Sequence, residues 1–292
     1  MTWRVDRRRD NRSLWPYLAL LGAMASFATG SSFAKHLFPV MGATGTTVYR
    51  VGFSAMLLMA MWRPWRRSWS RTEFMLVARY GIVLGLMNLS FYMALRTIPL
   101  GLAIAIELLG PLTVALMNSH RAIHFLWVGV AVAGLALLLP VADVKGTLDP
   151  IGILFALGAA FFWALYIVFG KKASHLPPGA AVAVGLAFAT LAVLPVGLAV
   201  NGLGLLNPHA MLLGLVVAVL SSALPYSLEM VALRHIPERS FGVVLSADPA
   251  IGALAAYLVL GETLTGRQGM ALACVIAAAI GAVMTQDKKV QG

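Results

Sequence analysis

From Leu14 to Thr285 the chain is a succession of ten apolar runs joined by short polar connections. They cover approximately residues 14–35, 42–62, 74–96, 99–118, 123–141, 150–170, 178–200, 209–232, 240–260 and 265–285. A helix crosses the hydrocarbon core of a bilayer with about 20 mostly apolar residues, which is close to the length of each run. Lipid cannot satisfy open backbone N–H and C=O groups, so only helices and closed barrels span it, and these runs are too long and too continuously apolar for barrel strands. The sequence therefore predicts an all-α polytopic membrane protein with ten transmembrane helices. Composition agrees, because only 11% of the 292 residues are charged, against about 25% in an ordinary soluble domain. The first run follows a basic tail and is too long for the apolar stretch of a cleaved signal peptide, so it reads as a retained span.

The net charge of +11 falls mainly between spans. Orientation in the membrane explains such cations better than nucleic acid does, so the lipid bilayer is an expected partner and nucleic acid is not. On the ten-span layout, 17 Lys and Arg lie on the side that holds both termini and four on the other. Positive charge favours the cytoplasm. Residues 1–13 and 286–292 are accordingly expected to be cytoplasmic tails, and residues 142–149 a linker on the opposite face.

The chain repeats itself. Ala94-Leu95-Arg96-Thr97-Ile98-Pro99 matches Ala232-Leu233-Arg234-His235-Ile236-Pro237 at an offset of 138 residues. The same offset carries Pro111 onto Pro249 and Asn88 onto Tyr226. This predicts two five-helix repeats, 14–141 and 150–285. An odd number of spans per repeat makes the second enter the membrane from the opposite side. Inverted repeats of this kind characterise secondary transporters, whose sites lie at the repeat interface near the bilayer midplane.

Ionisable groups inside spans are costly and mark functional positions by default. Arg50, Glu107, Glu229 and Asp248 stand out. Arg50, Asn88 and Glu107 each lie eight residues from the outer end of a span, roughly 12 Å deep at a rise of about 1.5 Å per residue. Trp163, Tyr166, Tyr226, Glu229 and Asp248 fall in the inner portions of theirs, giving an outer group from repeat one and an inner group from repeat two. These residues, with Tyr92, are the expected lining of a solute pathway. A zwitterionic amino acid needs a cation for its carboxylate and an acid or aromatic face for its ammonium. Arg50 fits the first need, and Glu107, Glu229 and Trp163 the second. The structural alternative is an Arg50–Glu107 ion pair with Glu229 reaching the nearby interface. Pro111, Pro225 and Pro249 each remove a backbone donor in or near a span and are candidate hinges, or kinks tolerated by neighbouring helices. Gly22, Ser26 and Gly30, and Gly81 with Gly85, form small-residue stripes expected to pack helices closely.

Signals for an enzyme are poor, and none is expected. His120 and His124 are four apart but lack the glutamate of a zinc-protease motif. The single Cys274 excludes an intramolecular disulfide and a multi-cysteine metal site. No cofactor or metal is expected.

Several segments carry a family resemblance: Pro99-Leu100-Gly101, Glu107 with Gly110-Pro111-Leu112, Ala223-Leu224-Pro225-Tyr226-Ser227-Leu228-Glu229-Met230, and Leu260-Gly261-Glu262-Thr263-Leu264-Thr265. Together with Arg50 and the two repeats, they make the chain similar to the EamA branch of the drug/metabolite transporter superfamily, from about Leu18 to Thr285. The segment ending at Met230 is the most distinctive and resembles the amino-acid exporters of that branch. The resemblance implies efflux of threonine and homoserine across the bacterial inner membrane by alternating access, coupled to protons. Asp248 departs from it, standing where those exporters carry glutamate. Export of another amino acid or small metabolite, or a non-transporting membrane scaffold, are the alternative readings.

Overall fold

The computed structural model describes residues 14–34, 37–94, 96–98, 103, 106–119, 121–138, 149–245, 247–248, 251 and 266–285. Among them are ten α-helices: α1 (Trp15–Ala34), α2 (Phe38–Trp62), α3 (Arg71–Ala94), α4 (Leu109–Met117), α5 (Ala122–Leu138), α6 (Pro150–Ala173), α7 (Pro178–Asn201), α8 (Pro208–His235), α9 (Glu238–Leu245) and α10 (Gly266–Met284). Each falls on one of the ten apolar runs. Helices α3, α6, α7 with its short 3₁₀ extension to Leu206, and α8 are each long and apolar enough to cross a membrane. Asp149 starts α6 by accepting from the Ile151 N–H, with Pro150 in the first helical position, where its missing N–H costs nothing. The basic tail, residues 139–148, Pro249 and the Gly261–Thr265 segment lie outside the described residues.

The two five-helix repeats are visible in the packing itself. Exchanging each helix for the one five places along maps α1–α8 onto α3–α6, and α2–α8 onto α3–α7; all four pairs are in contact. The pairs α2–α7, α4–α9 and α5–α10 map onto themselves and are also in contact. The two halves are therefore interleaved rather than side by side, and every helix of the central cluster touches the opposite repeat.

Small residues permit the closest approaches. Gly81 and Gly85 of α3 lie against the backbone of Gly185 and Ala189 in α7, where an added Cβ at Gly81 would collide with the Gly185 carbonyl. Gly30 of α1 meets the backbone of Leu220 and Ser221 in α8 in the same way. Between helices in lipid there is no hydrophobic drive, so such close packing and interhelical hydrogen bonds carry association. The main apolar cluster gathers Leu20, Met24, Tyr80, Leu84, Tyr166, Ile167, Leu186, Met230, Leu233 and Phe241 from both repeats. Tyr17 packs partly buried against this cluster, while Trp62 and Trp65 are well exposed. Trp69 is folded back on its own loop, its indole N–H donating to the Pro64 carbonyl.

Lys171 closes the end of α8. Its ammonium donates to the carbonyls of Leu233 at 2.6 Å and Ile236 at 2.7 Å, satisfying acceptors that a helix C-terminus leaves open. Substituting Lys171→Met is expected to lower stability by about 2 kcal/mol, the scale of hydrogen bonds from a charged donor. Thermal unfolding in detergent measures this, and an unchanged midpoint would show that the two carbonyls find other partners.

Candidate functional site

Proline chemistry builds the centre of the molecule. Pro225 has no N–H to offer the carbonyl of Ser221, four residues back. Ahead of it, α8 widens into a π-helical turn over Val219–Ala223, in which the Leu224 N–H reaches back five residues to Val219. The loosened carbonyls are taken up by side chains from repeat one. Ser26 Oγ donates to Leu220 O at 2.7 Å and Ser54 Oγ to Ala218 O at 2.8 Å. Arg50 Nη2 donates to Ser221 O at 3.1 Å. The break in α8 is thus bound by α1 and α2, as buried backbone acceptors require.

Arg50 is only 3% exposed. Besides Ser221 O, it donates from Nη1 to Tyr92 Oη at 2.6 Å and from Nε to Ser222 Oγ at 3.3 Å. The Phe27 and Tyr92 rings lie 5.2 Å and 5.9 Å from its guanidinium carbon. A guanidinium carries five N–H groups, so among the described residues one hydrogen on each terminal nitrogen remains for a ligand carboxylate. No salt bridge joins Arg50 to Glu107 among the described residues. The two are near enough for their charges to interact, but Arg50 is held by neutral groups and not by a structural ion pair.

The acids gather around the same centre. Glu229 accepts from Tyr166 Oη at 2.7 Å. The Tyr166 ring is stacked on Tyr80 at 5.2 Å and lies 6.0 Å from the Tyr226 ring. Asp248, just past α9, is within electrostatic reach of both Glu107 and Glu229. Neither Glu107 nor Asp248 has a hydrogen-bond partner among the described residues.

Asn88 and Tyr226, counterparts in the repeat, touch each other: Asn88 Nδ2 donates to Tyr226 Oη at 3.2 Å. Two counterparts can be in contact only near the pseudo-twofold axis that relates the halves. The pair therefore lies beside the axis that relates the two halves. Residue spacing set Asn88 in an outer group and Tyr226 in an inner one; the structure merges them. Counting from the ends of separate spans assumes that those ends share one depth, and a long tyrosine side chain adds reach that such a count ignores.

The other candidates are less central. Trp163 lies one turn before Tyr166 on α6 and packs between two apolar clusters. Pro111 is in the first turn of α4, its carbonyl close against Gly242 of α9, and α4 continues past it without a break. Of the proposed hinges in the described residues, only Pro225 coincides with a departure from α-helical hydrogen bonding. His124 is buried, its Nδ1 accepting from Arg239 Nη1 at 2.9 Å. Residue spacing read Ser26 only as a packing residue and missed Ser54, Ser221, Ser222 and Phe27. A hydroxyl pair three and four residues before an in-span proline was the available signal for Ser221 and Ser222.

Comparison with known proteins carries this arrangement to a family. Residues 150–284 match the EamA-like transporter family. Over 276 residues the chain is 44% identical to the threonine/homoserine exporter RhtA of Salmonella typhimurium (strain LT2), covering 94% of both chains. The chain belongs to the EamA-like transporter family. It is also 43% identical over 274 residues to the threonine/homoserine exporter RhtA of Escherichia coli (strain K12), covering 94% of this chain and 93% of that one. A crystal structure of a protein 19% identical in sequence superposes with a TM-score of 0.73, covering 93% of this chain and 96% of the other; at that identity the likeness concerns the fold. This EamA-like transporter is thus a multi-pass membrane protein whose curated relatives are exporters.

Proposed function

We propose that this transporter exports small amino acids, threonine and homoserine foremost, across the bacterial inner membrane by alternating access driven by the proton gradient. One observation carries the reading: a buried arginine with two N–H groups unpaired among the described residues and the carboxylate of Glu229 lie within electrostatic reach of Tyr226, which is bonded to its repeat counterpart Asn88, while Glu107 is within such reach of Arg50 and Asp248 of both glutamates. Such a site complements a zwitterion. Arg50 takes the substrate carboxylate. Glu107 and Asp248 take its ammonium. Glu229, held by Tyr166, carries the proton. Arg50, Asn88, Tyr92, Glu107, Tyr166, Tyr226, Glu229 and Asp248 line the pathway, with Trp163 at its edge. The units 14–141 and 150–285 rock about the axis, both termini in the cytoplasm, and Pro225, behind the π-helical turn of α8, serves as a hinge. The 44% identity to a threonine/homoserine exporter over 94% of the chain supports the substrate assignment.

The test is reconstitution into liposomes, with flux of labelled threonine and homoserine measured under an imposed pH gradient. Flux of both, accelerated by the gradient, is the expected result. Equal flux without a gradient would remove proton coupling and leave facilitated export; no flux of either would remove the substrate assignment. Competition by a panel of amino acids then ranks the substrates.

A further inference from the structure

We propose that Asn88 and Tyr226 form the subsite that recognises a hydroxyl on the side chain of the transported amino acid. The inference rests on the amino-acid export reading and assigns its selectivity to two named atoms. Asn88 Nδ2 donates to Leu84 O at 2.8 Å and to Tyr226 Oη at 3.2 Å, which uses both amide hydrogens. The Leu84 carbonyl fixes the amide's orientation, because turning it over would set two oxygens face to face. Among the described residues, Asn88 Oδ1 then receives no hydrogen bond, and the Tyr226 O–H, which accepts from Asn88, donates to no acceptor. The site therefore presents one open acceptor and one open donor side by side. Both side chains are buried, at 6% and 5% exposure.

Chemistry narrows what satisfies both. A hydroxyl donates one hydrogen bond and accepts another. An ammonium only donates, a carboxylate only accepts, and a methyl group does neither. Water offers the same pair of bonds, so a hydroxylated substrate can replace it without loss, whereas an aliphatic one leaves both buried groups unpaired. The location agrees. Tyr226 is within electrostatic reach of Arg50, so an amino acid whose carboxylate is held by that arginine brings its β- or γ-carbon near this pair. Sites built to hydrogen-bond a hydroxyl reject the analogue lacking it far more strongly than apolar pockets reject an added one.

Isosteric pairs read the subsite directly. Threonine and valine differ by hydroxyl against methyl, as do homoserine and norvaline. The experiment measures competing uptake of labelled threonine and valine, and of homoserine and norvaline, into the same proteoliposomes, for the wild type, Tyr226→Phe and Asn88→Leu. A ratio within one sample does not depend on how much protein folds. The wild type is expected to prefer the hydroxylated member by about tenfold, the scale of one or two net hydrogen bonds. Tyr226→Phe, which keeps the ring, is expected to bring that ratio to within about threefold, and Asn88→Leu to abolish it. A variant too slow for flux is read by the shift in its melting temperature with threonine against valine. A wild type without the preference, or variants that keep it, would overturn this subsite while leaving threonine export intact. A wild type that moves neither threonine nor homoserine would instead overturn the export reading.

Discussion

Replacing Arg50 by methionine is expected to cut threonine flux by about a hundredfold, the loss of two charge-assisted hydrogen bonds to the substrate carboxylate. It is also expected to destabilise the protein, because the Ser221 carbonyl, Ser222 hydroxyl and Tyr92 hydroxyl all lose a buried partner. The two effects separate experimentally. Ser222→Ala removes one of the same contacts without touching the two N–H groups kept for substrate, so it should lower the melting temperature and leave most of the flux. Arg50→Lys is the sharper control. Lysine retains the charge but presents it as a point, with three donors and no planar fork. It cannot reach Ser221 O, Ser222 Oγ and Tyr92 Oη together while still gripping a carboxylate. Flux of Arg50→Lys should therefore stay nearer to that of Arg50→Met than to the wild type. Near-normal flux in Arg50→Lys would show that charge alone is needed and that the fork geometry is incidental.

Apolar run length made the fold legible. Ten runs of nearly span length allow few arrangements in lipid, and the sequence match around Ala94–Pro99 and Ala232–Pro237 exposed the doubling. The identity of the central residues was also legible, because a charge inside an apolar run is conspicuous. Their partners were not. Nothing in spacing says that Arg50 binds Ser221 and Ser222, which lie about 170 positions away; that follows from the way α2 crosses α8. Depth was misread for the same reason. Counting residues from the ends of separate spans assumes a common plane for those ends, whereas the Asn88–Tyr226 contact depends on tilt, on the π-turn ahead of Pro225 and on the reach of a tyrosine.

Glu229→Gln is expected to separate proton movement from substrate movement. Glutamine has nearly the shape of glutamate and can still accept from the Tyr166 hydroxyl, now 2.7 Å from a carboxylate oxygen. What it cannot do is release a proton, so the side chain is fixed in the charge state of the protonated acid. If Glu229 carries the coupled proton, a pH gradient should no longer drive threonine flux in this variant, with a loss of at least about tenfold, in the range over which positioned proton carriers act. Exchange of labelled for unlabelled threonine at equal pH on both sides should persist, because the loaded carrier can still reorient without releasing a proton. The ammonium-binding acids behave differently. Glu107→Gln and Asp248→Asn remove attraction for the substrate itself and should weaken exchange and gradient-driven flux alike. Asp248 is within electrostatic reach of both glutamates, so substitutions at these positions should not be additive, and the double variant Glu229→Gln with Asp248→Asn measures their coupling. Loss of exchange together with driven flux in Glu229→Gln would move Glu229 into the substrate subsite, and retention of both would place the proton on Glu107 or Asp248.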